Sequence, residues 1–245
     1  MKRKTWWSVA AVAVLASVTC VAVAATGIAG AGSAPVTIDT RKPTAPAIAG
    51  DRVVWSDYVD DSYDVFLYDG ASGVTSRLTS TPENEVQPAT DGKTVVWAQH
   101  GARDADIIAY DIASRSYVTV TNATGNQLNP DVNGDFVVWE ERGRSYVPQV
   151  FARSLSGGIP FKIDGASQSA ARRPRMGGNW VVYEYLPLNL SDDGDIRAYN
   201  FVSKAITTIA NTDAQELLPV TDGRYVIWAD GSGADRDIRG YNLQS

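Results

Sequence analysis

The chain has 245 residues, with 22 basic and 28 acidic side chains and a net charge of −6. Setting aside Lys2, Arg3 and Lys4 leaves 19 basic against 28 acidic groups, a net of −9 that disfavours nucleic acid or anionic membrane as a partner. An apolar content of 44% excludes a disordered chain, and a single cysteine (Cys20) with a single histidine (His100) excludes a cysteine-based zinc site, an intrachain disulfide framework and any two-histidine mechanism.

Residues 1–34 read as an address. A basic start is followed by no charge from Thr5 to Ile38, and small-residue cleavage patterns occur at Ala22-Val23-Ala24, Ala29-Gly30-Ala31 and Gly32-Ser33-Ala34. The segment is expected to be an export signal; uncleaved, the run from Trp6 to Ala25 is long enough to anchor the chain in a membrane. Either way the body is expected to be secreted or extracytoplasmic. Cys20 follows Thr19, where a lipoprotein signal wants Gly or Ala.

Val36-Thr37-Ile38-Asp39 then reads as a short strand, and residues 35–245 repeat one unit. A motif of Pro, Gly four residues on and an aromatic five further occurs at Pro46–Trp55, Pro88–Trp97, Pro130–Trp139, Pro174–Tyr183 and Pro219–Trp228. A second motif, D-[IV]-x-x-Y-[DN], starts at Asp64, Asp106, Asp195 and Asp237, with Gln149 in the matching place of the third unit. Thr-rich ends such as Arg77-Leu78-Thr79 and Val118-Thr119-Val120 follow, and Asp-Gly turns separate the pieces. The units, about 42–80, 81–122, 123–165, 166–211 and 212–245, each predict four strands, A to D, except that the last lacks D. The spacing predicts an all-β, five-bladed β-propeller of four-stranded blades, closed by strand 36–39 completing the last blade.

The Pro-x-x-Asp-Gly turns (Pro88–Gly92, Pro219–Gly223), the Val-Val-Trp strand and Asp106–Asp111 resemble the TolB-like, WD40-like propeller repeats of exported and cell-surface proteins. The resemblance covers the body of the chain. It implies a propeller fold and a partner-binding scaffold, without the additional α/β domain of TolB.

Candidate sites follow from the repeat and from its departures. Alternation along strand A turns Gln87, Asn129, Asp131, Arg173 and Arg175 toward a central channel, where paired arginines suit a carboxylate or phosphate. An apolar loop with Tyr185, Leu186, Leu188 and Leu190 reads as a contact patch. Asp192, Asp193 and Asp195 are where calcium would be sought, although no acidic loop has the EF-hand spacing and no cofactor is expected. The recurring Asp reads as a turn-binding residue shared by the blades. The chain is therefore expected to be a monomeric, non-enzymatic binding module for a protein or glycan at the cell surface. The alternatives are a carbohydrate-active hydrolase using Asp131 with Glu85 or Glu216, and a purely structural cell-surface repeat protein.

Overall fold

A computed structural model describes residues 36–143, 147–164, 169–187, 194–232 and 235–244. Among these there is no helix, only nineteen strands in five antiparallel sheets. The first sheet holds β1 (Thr44–Ala49), β2 (Arg52–Val59), β3 (Ser62–Asp69) and β4 (Val74–Arg77). The second holds β5 (Asn84–Thr90), β6 (Thr94–His100), β7 (Ala105–Asp111) and β8 (Ser116–Thr119). The third runs through β9 (Asn126–Asn133), β10 (Phe136–Arg142), β11 (Gln149–Ser154) and β12 (Phe161–Lys162). The fourth runs through β13 (Ser169–Gly177), β14 (Trp180–Pro187), β15 (Asp195–Asn200) and β16 (Ile206–Ala210). The fifth has three strands, β17 (Glu216–Thr221), β18 (Tyr225–Ser232) and β19 (Asp235–Asn242).

Turn chemistry starts each sheet. At the β5–β6 turn the Asp91 Oδ1 accepts the Lys93 and Thr94 N–H groups at 2.9 and 2.8 Å, and Gly92 takes a φ of 88°. Asp222 does the same for Arg224 and Tyr225 at the β17–β18 turn, beside Gly223 at 91°. A strand sends neighbouring residues to opposite faces, so the paired valines ahead of each aromatic need cover on both sides. Val95 of β6 packs with Val54 of the first sheet, while Val96 packs with Val137 and Trp139 of the third. Val138 packs with Val181 and Tyr183 of the fourth sheet, and Val182 with Val226 and Trp228 of the fifth. Fully burying such a side chain is worth roughly 1.5–3 kcal/mol, so the chain of contacts ties sheet to sheet in sequence order.

The fourth and fifth sheets come close together at Gly177 and Gly223. A Cβ on Gly177 would lie 2.4 Å from the Gly223 nitrogen, which leaves no room for any side chain.

Among the described residues the fifth sheet has no fourth strand. Val36–Asp39 carries no strand, and β19 is the outermost strand of its sheet. The chain just beyond is held by the first sheet instead: Arg41 and Lys42 donate their N–H groups to the Asp57 carboxylate at 2.9 and 2.5 Å. The expected export signal, with Cys20, falls outside the described residues.

Candidate binding channel

The first strands of all five sheets line one cavity of about 820 Å³. Its wall includes Ala45, Gln87, Asp91, Lys93, Asn129, Asp131, Arg175, Val220 and Asp222. Four of the five residues expected in the channel are therefore brought together there, and Arg173 is not among the lining residues.

A backbone irregularity explains the difference. The residue before each repeat proline is left-handed: φ is 50° at Ala45, 55° at Gln87, 51° at Asn129, 52° at Arg173 and 56° at Leu218. Each inner strand slips register against its neighbour at this point. Such a bulge breaks the simple alternation of side chains that the sequence suggests. Left-handed backbone is costly for residues other than glycine and persists only where the surroundings hold it.

Two buried acids help to hold it. Glu140 and Glu184 follow the aromatics Trp139 and Tyr183, and both are fully buried. Glu140 accepts the Arg173 N–H at 3.2 Å and the Asn129 side-chain amide at 3.0 Å. Glu184 accepts the Leu218 N–H at 2.8 Å. Each thus fastens the bulge of the following sheet. Glu184 also pairs with Arg172 at 2.5 Å and Arg173 at 2.9 Å. Arg173 is consumed by this ion pair. Between the second and third sheets Gln87 serves the same end, accepting the Asn129 backbone N–H at its Oε1 and donating its Nε2 to the Asn129 side-chain Oδ1, both at 2.9 Å. Sequence reading missed Glu140 and Glu184. Their signal was an acid inside a strand buried on both faces, which requires a partner.

Asp131 has a structural task as well. Its carboxylate accepts N–H groups from Val132 at 2.9 Å and from Met176 of the fourth sheet at 2.8 Å. Burial pushes its carboxyl above the usual range, against the pull of the Met176 N–H and the Arg175 charge. Arg175 is different. Its one side-chain hydrogen bond among the described residues runs from Nη1 to the Pro174 carbonyl, at 2.7 Å. It therefore presents further guanidinium donors in a lined cavity.

The other candidate residues fall elsewhere. Glu85 and Glu216 are fully buried and do not line the cavity. Glu85 accepts from the Thr81 hydroxyl, and Glu216 from the Thr212 hydroxyl at 2.5 Å and its N–H at 3.1 Å. Burial raises the pKa of both. In the third sheet Gln127 occupies the matching place and accepts from Thr121 at 3.2 Å. Tyr185 is buried beneath the Arg197 guanidinium, 3.2 Å from its ring centroid, so it belongs to the core and not to a loop tip. Leu186 is half-buried, and Leu188 and Leu190 lie outside the described residues. Of the calcium candidates, Asp192 and Asp193 also lie outside them and Asp195 is buried at the start of β15. Among the described residues no three His, Cys, Asp or Glu side chains gather as metal ligands. The recurring Asp binds the chain that follows the fourth strand: Asp64 accepts from the Thr79 hydroxyl at 3.1 Å and Asp106 from the Thr121 hydroxyl at 3.0 Å.

No family model matches the sequence, and no curated protein matches it. Solved structures do match its fold. TolB from Acinetobacter baumannii aligns with a TM-score of 0.62 at 16% identity, over 86% of this chain and 55% of TolB. A chain of the nidogen/laminin complex aligns with a TM-score of 0.57 at 10% identity, over 80% of this chain and 74% of that one. A prolyl endopeptidase aligns at 0.62 and 13% identity, over 84% of this chain and 35% of its own. The fold is that of a TolB-like β-propeller. The chain spans about half the length of the TolB it matches.

Proposed function

We propose that this protein is an exported, non-enzymatic binding module whose five sheets are the blades of a propeller, and that its partner enters the central channel. The observation that carries the reading is Arg175, a cationic group in the lined cavity whose side chain makes one hydrogen bond among the described residues. Asn129 and Gln87 stand on the same wall and are already fixed to one another, so the polar rim is preorganised. A protein or glycan segment with a carboxylate or other hydrogen-bond acceptor suits this lining. The TolB and nidogen propellers, as folds, are compatible with a partner-binding role outside the cytoplasm. Hydrolysis of a glycoside needs two carboxylates flanking one bond. The seating of Glu85 and Glu216 outside the cavity favours the binding module over the hydrolase.

The test is a glycan and peptide array probed with the full chain and with Arg175→Ala. The expected result is a set of hits that the substitution weakens at least tenfold. Hits that persist unchanged would overturn the channel reading, and an array with no hits would favour a purely structural protein.

A further inference from the structure

We infer that the groove between the outer strands of the first and second sheets is a binding site for a short oligosaccharide of uronic acids. The inference is independent of the channel. The groove lies between β4 and β8 and holds about 460 Å³, within the roughly 300–1,000 Å³ of small-ligand pockets. Its wall carries an aromatic platform. Tyr117 of β8 is 54% exposed, and its ring meets Trp97 edge-on at 6.1 Å and Tyr110 at 4.8 Å. The Tyr117 hydroxyl donates to the Leu78 carbonyl at 2.6 Å, from the second sheet to the first, so the ring is fixed before a ligand arrives. The repeat does not call for this ring: Thr75 pairs with Tyr68, and Ile206 with Tyr199, in the register by which Tyr117 pairs with Tyr110.

Three charged side chains line the groove, and two are already matched. Asp69 is paired with Arg52 at 2.7 Å and accepts the Ala71 and Ser72 N–H groups. Arg77 is paired with Asp60 at 2.9 Å and with Asp64 at 2.7 Å. Arg115 makes no side-chain hydrogen bond or ion pair among the described residues. A guanidinium with free donors holds a carboxylate bidentately, and a fixed ring with a bare face covers the apolar C–H face of a pyranose. Ser72 and Ser76 add hydroxyls to the same wall, which suit the hydroxyls of a sugar. The rings of Tyr110 and Tyr117 stand at 48° to one another, so they form no parallel-walled slot for a flat nucleobase.

The probe is α-1,4-linked tetragalacturonate, titrated into the full chain and followed by calorimetry. Binding is expected, weakened at least tenfold by methyl esterification of the sugar, by Arg115→Gly and by Tyr117→Ala. Tyr117→Phe, which keeps the ring, is expected to bind as wild type does, and so is Arg175→Ala in the channel. Arg115→Gly removes the cation at a φ of 57°, where the equivalent turn of the first sheet holds Gly73 at 72°, so that variant keeps its fold, checked by its melting temperature. No heat of binding, equal binding of the methyl ester, or binding that Arg115→Gly leaves unchanged would overturn the inference. Tighter binding of adenosine monophosphate than of the tetrasaccharide would also overturn it and assign the groove to a nucleotide.

Discussion

Glu85 and Glu216 are each enclosed with one carboxylate oxygen unpartnered among the described residues, whereas Gln127 fills the equivalent place with an amide. Burial is the largest cause of their raised pKa values. A folded state that holds a proton more tightly than the unfolded chain gains stability as pH falls. The gain is complete below the ordinary carboxylate pKa of about 4.3 and is lost as pH rises through the raised folded value. Glu85→Gln is therefore expected to raise the melting temperature at pH 7, with the advantage over wild type shrinking as pH falls toward 5. Thermal melts across that range check it, and an advantage that does not change with pH would contradict it. Surface turns work in the opposite sense. Asp111 is held below its usual range by hydrogen bonds from Ser114, and Asp222 by those from Tyr225 and Arg224, so comparison with the variant is needed to isolate Glu85.

At the scale of elements, the sheets are joined by apolar faces and by a polar seam. Glu184 links the second strand of the fourth sheet to the bulge of the fifth and pairs with both Arg172 and Arg173. Glu184→Ala is expected to cost about 2–3 kcal/mol, below the value for a fully buried pair because the arginines are partly solvated. Arg173→Ala should cost less, since Arg172 still meets the carboxylate. Denaturant melts of the two variants give the order. Gly177→Ala should destabilise more than a surface change, because its methyl would strike the backbone at Gly223. The strands, the turns and the repeat were legible in the sequence, since they depend on local residue types at fixed spacing. The bulge before each proline was not, because Ala45, Gln87, Asn129, Arg173 and Leu218 share no residue type that announces a left-handed backbone. That is why Arg173 reads as a channel residue in the sequence and sits on Glu184 in the structure. Thr37 likewise has the residue type of Thr79 and Thr121, yet strand pairing depends on long-range contacts that a four-residue segment does not encode.

For the whole molecule, five sheets place their first strands around one cavity, and the polar groups of its wall divide into two sets. Gln87, Asn129 and Asp131 are bonded across sheets and fix the wall, whereas Arg175 retains free donors. With a single cysteine in the sequence, packing and this seam, without an intrachain disulfide, hold the sheets together. Channel occupancy is the central claim, and cysteine protection tests it most directly. Ala45 is exposed and lines the cavity, so Ala45→Cys in a Cys20→Ser background gives one thiol in the channel. Its rate of maleimide labelling is measured with and without the strongest array hit at saturation. Labelling slowed at least tenfold by the bound hit is the predicted result, and an unchanged rate under saturated binding would contradict the account.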